Sequence, residues 1–366
     1  MPKALLMTGA SGFVGANAIN FVLRNGGYGV TIATDVREPE PGHPLFLKPS
    51  SELTTLKFIL VDITNPRDIE KLKLELKWLS SRDYEIVIWH MGGVFNYSAS
   101  RKTLYDVNVL GTRNLLEMLV QLGFTFPYLE MRFVFWSGGV RYGDFNHPQG
   151  KLPATEEYPG YPNNDYGWTK KEAEDWIMHF HREFGLPVTI MRLGAIYGPY
   201  NRYSMGSAII LQAKGQLEPV IVGNGNNRTA MIHAEDVVRV ANFLGGCPEA
   251  DGEVYNVVDK TPITLGEQAM FLGSHLRNTP FKHFRMPKQV FQFLIWLTKR
   301  KSKFLKAETI IDPGFGEIIL LNAWMSNEKL MELARKYGVE NTLLKYPRTL
   351  DGLRQTICWF KEEGWI

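Results

Sequence analysis

The chain has 366 residues, 45% hydrophobic and 12% aromatic, enough apolar material for one large domain or two intimately joined ones, and this excludes general disorder. Its 41 Lys+Arg against 38 Asp+Glu leave a net charge of +3, which excludes nucleic-acid binding by bulk charge. The two cysteines, Cys247 and Cys358, show neither CxxC nor Cys/His spacing, so neither a disulfide framework nor a metal site is expected, and a reducing, cytoplasmic setting fits.

Met1-Pro2-Lys3 runs directly into an apolar stretch at Ala4, leaving no room for a secretory leader. Short apolar runs then alternate with helical patterns, which predicts a parallel sheet with crossover helices. The predicted strands are Ala4 to Thr8, Val30 to Thr34, Lys57 to Val61, Ile86 to His90, Arg132 to Trp136, Val188 to Leu193 and Val254 to Val258. Pro39 to Ser51 and Gly143 to Asp165 read as long loops, the second placed to border a site. Beyond residue 195 the pattern turns irregular, with a strand-like Pro219 to Val222 and amphipathic helices around Met325 to Tyr337 and Thr349 to Glu363. The expected fold class is α/β: a doubly wound Rossmann sheet from residues 1–194, rejoined by strand 254–258, with 195–253 and 259–366 as a smaller α/β substrate-binding lobe.

After the first strand comes Gly9-Ala10-Ser11-Gly12-Phe13-Val14-Gly15 leading into a helical pattern. Glycines in such a turn let the backbone approach a pyrophosphate, while the helix N-terminus supplies N–H donors. Asp35 ends the second strand, placed to accept both adenosine ribose hydroxyls and to repel a 2′-phosphate, so NAD is expected over NADP; Arg37 softens that preference. Asp62 and Ile63 follow the third strand, where they would meet the adenine edge, although an aspartate there also serves as an ordinary cap.

Tyr166 and Lys170 lie four apart and share one face of a predicted helix. An ammonium beside a phenol stabilises the phenolate, moving it from about 10 toward neutrality and suiting it to exchange the proton of an alcohol or carbonyl.

Together with His90-Met91-Gly92-Gly93, Asn108-Val109-Leu110-Gly111-Thr112, Tyr166-Gly167-Trp168-Thr169-Lys170, and Arg192 through Tyr197-Gly198-Pro199, these residues resemble the extended short-chain dehydrogenase/reductase family, the NAD-dependent epimerase/dehydratase superfamily. His233-Ala234-Glu235-Asp236-Val237 and Val254-Tyr255-Asn256-Val257 extend the resemblance over nearly the whole chain. It implies that Met91, Gly92, Gly93 and Asn108 belong to the cofactor site, that Lys170 also holds the nicotinamide ribose, and that hydride passes between the nicotinamide and the carbon bearing the oxygen. It also implies a homodimer built through the helices after Asn108 and from Tyr166.

The family's catalytic hydroxyl at the end of the fifth strand is displaced here. Counting back from Tyr142-Gly143 puts Gly138 at that position with Ser137 one residue earlier, so either the strand end is remodelled and Ser137 serves, or the substrate oxygen is held otherwise. For substrate, Ala195 stands where nucleotide-sugar enzymes carry an Asn, and Phe95-Asn96-Tyr97-Ser98 with the Phe/Trp-rich helix from Val290 looks more like the 3β-hydroxysteroid or sterol dehydrogenase branch. Phe95, Gly138, Gly139, Ala195 and Arg228 are the candidate substrate contacts. The reading is an NAD(P)-dependent dehydrogenase interconverting a secondary alcohol and a ketone on a hydrophobic small molecule. Arg228, placed for a diphosphate, keeps a nucleotide-sugar 4-epimerase open. An inactive NAD-binding regulatory protein is a third reading.

Val290 to Leu297, followed by Lys299, Arg300, Lys301, Lys303 and Lys306, raises peripheral membrane contact through 290–306; a buried helix with a solvated C-terminal end is the plainer alternative.

Overall fold

The computed structural model describes residues 1–47, 55–95, 99–143, 145, 147–276, 284–305 and 320–366, with the backbone alone for 299 and 301–305. Seven parallel strands are laid down in turn: β1 (Lys3–Thr8), β2 (Val30–Asp35), β3 (Thr55–Leu60), β4 (Glu85–His90), β5 (Met131–Gly138), β6 (Val188–Leu193) and, much later in the chain, β11 (Glu253–Val257). Their order across the sheet is β11-β6-β5-β4-β1-β2-β3.

Because strands alternate their side chains between faces, the central runs must be apolar on both sides. Leu5, Met7, Trp89 and Trp136 face one core, closed by α1 (Phe13–Asn25) and α7 (Ala234–Gly245). Ala4, Leu6, Ile88, Phe133 and Phe135 face the other, closed by α2 (Pro66–Ser80), α4 (Thr112–Thr125) and α5 (Asp165–Phe184). This is the doubly wound Rossmann architecture, with the predicted strands in place and their ends shifted by one or two residues.

Sheet order reverses between β1 and β4, and a crevice opens beyond their C-terminal ends, the position where such sheets receive ligands. Between β4 and α4 the chain forms α3 (Arg101–Tyr105) and a π-helical turn, Asp106–Gly111. A π-turn inside a helix frequently marks a functional position.

After β6 the elements are short: β7 (Ala195–Tyr197), α6 (Met205–Ala213), β8 (Val220–Val222), β9 (Arg228–Thr229), β10 (Met231–His233), β12 (Ile263–Thr264), α8 (Leu265–Leu276), β13 (Phe284–Met286), α9 (Lys288–Leu305), and helices Glu328–Lys336 and Thr349–Glu362. The helix expected from Met325 begins three residues later, and Met325 is buried against Gly139 instead. Asn96, Tyr97, Ser98 and Lys306 lie outside the described residues. Among the described residues no helix is long and apolar enough to cross a membrane.

Candidate active site

The turn after β1 is built by steric necessity. Gly9 sits at φ +74°, and a Cβ on it would lie 2.8 Å from the Gly92 backbone across the crevice. A Cβ on Gly15 would lie 2.3 Å from the Ala10 carbonyl oxygen, so glycine alone lets α1 pack this close to the turn. Gly12 is the N-cap of α1 and no side chain caps the helix, which leaves its first-turn N–H groups and the positive end of its dipole directed to the cleft.

Asp35 closes the far side. Its carboxylate accepts from Ser11 N at 3.0 Å and Arg37 N at 3.2 Å, while the Ser11 hydroxyl donates to Arg37 O at 2.8 Å. Asp62 and Ile63 also line the cleft, but one Asp62 oxygen is taken by the Thr64 N–H and hydroxyl at 2.8 and 2.7 Å in a local turn, while Asn65 caps α2.

A buried relay joins the two halves of the crevice. Gly92 N–H donates to Thr8 Oγ1 (3.0 Å), Thr8 Oγ1 meets His90 Nδ1 (2.7 Å), His90 Nε2 meets Thr112 Oγ1 (2.9 Å), and Thr112 donates to Asn108 O (2.7 Å). One direction satisfies every donor: the Thr8 hydroxyl gives to Nδ1, and a neutral imidazole protonated on Nε2 gives to Thr112. Burial pushes His90 down to about 3 and so keeps it neutral.

Asn108 corrects an expectation. Its side chain does not reach the cleft; its amide accepts from Val94 N (2.8 Å) and donates to Val94 O and Thr169 Oγ1 (both 3.2 Å), clamping the Met91–Phe95 segment to α5. The π-turn aims it there. Met91, Gly92 and Gly93 themselves do line the cleft.

Helix α5 starts at Asp165 with Asn164 as its cap, accepting from Gly167 N at 2.8 Å, and so presents Tyr166 and Lys170 on the cleft side one turn apart. Phe95 meets the Tyr166 ring edge-on, centroids 5.5 Å apart. The Lys170 ammonium donates to Trp136 O at 3.0 Å and lies 4.8 Å from the centre of the Phe135 ring. The expected lowering of the phenol is not what the surroundings produce: burial pushes Tyr166 above its usual range, and burial, partly offset by Glu174, brings Lys170 down to about 8. Desolvation outweighs the ammonium because Lys170 is turned to the end of β5.

Ser137 lines the cleft at the end of β5 with its hydroxyl already engaged. Its hydroxyl donates to Glu174 Oε1 at 2.5 Å in a fully enclosed polar cluster, facing α5. Glu174 also takes Arg192 through Nε (3.1 Å) and Nη2 (2.9 Å), with Arg141 Nε at 3.3 Å. Arg192 in turn donates to Tyr142 Oη (3.0 Å) and Glu156 O (2.6 Å). The Ser137 hydroxyl is thus engaged by the charge cluster, although Ser137 lines the cleft beside Gly138. A Cβ on Gly138 would meet only Val140 Cγ2, at 3.4 Å.

The cleft has a volume of about 770 Å³. Past Lys170 its wall includes Val140, Phe145, Leu193, Ile196, Leu321 and Met325, with Gly138, Gly139, Ala195, Ala230 and Ala323 between them, and the polar Asn163, Asn164, Asn201, Tyr203 and Ser204 also line the cleft. Arg228 is not brought there: its guanidinium stacks 3.7 Å from the centre of the Trp324 ring, and its backbone N–H donates to Asn322 Oδ1 at 2.9 Å. Leu321, Ala323 and Met325 come from the far end of the chain and carry no local sequence signal. Glu174, one turn beyond Lys170, was readable from spacing and was missed.

The model of the NAD dependent epimerase/dehydratase family matches residues 5–257. A protein of Methanocaldococcus jannaschii described as a putative UDP-glucose 4-epimerase is 26% identical over 330 residues, covering 88% of this chain and 98% of that protein. The 3-beta-hydroxysteroid dehydrogenase of Mycolicibacterium neoaurum is 27% identical over 334 residues, covering 89% of this chain and 84% of that one. Among solved structures, the UDP-glucose 4-epimerase of Thermotoga maritima with UDP-glucose superposes with a TM-score of 0.71 at 21% identity, over 98% of this chain and 99% of that chain, which shows the shared fold. The relatives therefore divide between nucleotide-sugar and steroid enzymes.

Proposed function

For a chain that belongs to the NAD dependent epimerase/dehydratase family, we propose an oxidoreductase that seats NAD in the crevice and interconverts a secondary alcohol and a ketone on an apolar, polycyclic substrate. The residues present fit the dinucleotide: bare glycines and an uncapped helix N-terminus face the pyrophosphate position, and the Asp35 carboxylate stands at the ribose end. When bound, NAD supplies the hydride acceptor or donor. Tyr166 exchanges the proton of the substrate oxygen. Held above its usual range, the phenol starts as a neutral acid and suits donation to a ketone oxygen. Lys170, at about 8, carries the charge that steadies the phenolate left behind. With Ser137 engaged by Glu174, the substrate oxygen depends on Tyr166.

The observation that supports the substrate class is the mainly apolar wall that includes Val140, Phe145, Leu193, Ile196 and Met325, in which, among the described residues, no Lys or Arg stands beyond Lys170. A guanidinium is a natural partner for a sugar-nucleotide diphosphate, and Arg228 is stacked on Trp324 instead. The second reading, a nucleotide-sugar 4-epimerase, is favoured by the near full-length match to the Methanocaldococcus jannaschii protein. NAD(H) absorbance with panels of hydroxysteroids and ketosteroids, alongside an epimerisation assay on UDP-glucose and UDP-galactose, decides between them. Turnover of steroids is the expected result; turnover of UDP-sugars alone overturns the proposal, and NAD binding without turnover of either points to a regulatory protein. Self-association through α4 and α5, which border a shallow groove lined by Arg113, Val120, Trp176 and Phe184, belongs to the same reading and is checked by light scattering.

A further inference from the structure

Helix α9 is 18 residues long, and not one of its described side chains is buried. Its composition makes that costly. Val290, Phe293, Leu294 and Leu297 fall at i, i+3, i+4 and i+7 and are 46, 58, 41 and 40% exposed. The other arc, Phe291, Ile295 and Thr298, is half-buried, so the apolar stripe points away from the protein. Phe293 and Trp296 stack with centroids 5.7 Å apart, and the Arg300 guanidinium sits 4.7 Å from the centre of the Trp296 ring. Phe284, in the strand leading into the helix, is exposed as well. A contiguous apolar face of this kind marks an interaction surface.

Charge identifies the occupant. From Gln268 to Ala307 the sequence contains nine Lys or Arg (Arg277, Lys282, Arg285, Lys288, Lys299, Arg300, Lys301, Lys303 and Lys306) and no Asp or Glu. A second copy docked on this face about a two-fold axis would bring two such strongly cationic segments together. An anionic surface neutralises them. The helix is too short in apolar length to span a bilayer. Its Phe, Trp and Leu, followed in sequence by a run of Lys and Arg, suit a helix lying in the plane of the headgroups.

We propose that α9 is a peripheral lipid-binding helix that docks this lobe on a membrane surface bearing anionic headgroups. The proposal goes beyond the redox reading and does not depend on it. Strand β13 ties the start of the helix to β8, and the chain beyond it returns to the cleft wall at Leu321 to Met325, so docking through α9 holds the substrate lobe at the lipid surface.

The test is co-sedimentation of the full chain with vesicles of phosphatidylcholine alone and of phosphatidylcholine with one third phosphatidylserine. Binding to the anionic vesicles is expected to be stronger by about tenfold or more and to fall steeply with added salt. Phe293→Gln with Leu297→Gln, and separately Arg285→Glu with Lys288→Glu and Arg300→Glu, should each lower it by about tenfold or more, with melting temperature and NAD affinity unchanged. No binding of the parent chain to either vesicle, or equal binding to both, overturns the proposal independently of how the variants fold. So does a glutamine variant that binds vesicles as the parent does while losing self-association in light scattering, which would assign the face to a second copy.

Discussion

Replacing Glu174 by glutamine removes the only acidic side chain, among the described residues, that meets Arg192 and Arg141 at the end of β5, where all three are nearly inaccessible to water. The volume stays the same, so the effect is electrostatic. Deleting one partner of a buried pair leaves an uncompensated charge and costs about 3 to 5 kcal/mol. Spread over an unfolding entropy of about 2.1 cal/mol/K per residue for 366 residues, that lowers the melting temperature by roughly 4 to 7 °C. Arg192→Met should cost a comparable amount, since Tyr142 Oη and Glu156 O lose their donor. The double variant should cost less than the sum, because Arg192 is then no longer left facing an uncharged glutamine, and only Arg141 lacks its carboxylate. The same change reaches the site: Glu174 holds the Lys170 ammonium up, so its loss moves Lys170 below about 8, and the fall in activity as that ammonium deprotonates shifts to lower pH. Thermal unfolding of the cofactor-free chain and a pH profile of kcat/KM measure the two. A melting temperature within about 2 °C of the parent, or strict additivity in the double variant, refutes the reasoning.

Tyr166→Phe should reduce turnover by about 10² to 10⁴ while NAD affinity, measured by fluorescence titration, stays put; equal turnover removes the phenol from the mechanism. Gly15→Ala should weaken NAD binding by about tenfold or more and lower the melting temperature, because the added carbon lies 2.3 Å from a backbone oxygen that no side-chain rotation can relieve. Asp35→Asn should narrow the preference for NAD over NADP by about tenfold in paired titrations, since it removes the charge that faces a 2′-phosphate. Asp259 accepts from Tyr197 and Thr349 in a buried site that pushes it up to about 8. The folded chain therefore binds this proton more tightly than the unfolded one, and stability falls as pH rises from about 4 to about 8. Asp259→Asn should flatten that slope in denaturant titrations across the range.

Most of what the sequence discloses is periodic or steric. Runs such as Leu5-Leu6-Met7 and Ile86-Val87-Ile88-Trp89 are apolar on both faces, which only a covered parallel strand needs, and the spacing of Gly9, Gly12 and Gly15 states where backbone must stand next to backbone. Those features are local, and the strands and the turn were legible from them. The substrate wall was not: Leu321, Ala323 and Met325 join the cleft from nearly two hundred residues beyond Gly139, and a Cβ on Gly139 would lie 2.6 Å from Met325 Sδ.

Ser137 shows a different limit. From sequence it competes with Gly138 for the role of substrate-orienting hydroxyl, and alternation along β5 gives the two residues opposite faces without saying which face is the cleft. The deciding residues lie on neighbouring elements. Arg192 is the register partner of Ser137 on β6, and Glu174 stands one turn past Lys170 on α5, so a serine on that face meets a carboxylate already gripping a guanidinium. The short bond to Glu174 makes Ser137 a brace between α5 and β5 beside the Lys170 bond to Trp136 O. Two adjacent residues of β5 thus fix two adjacent turns of the helix that carries Tyr166. Gly138 lines the same cleft as Tyr166, and a Cβ on it would meet Val140 alone, at 3.4 Å from Cγ2, so this strand end leaves room in the cleft that a side chain would fill.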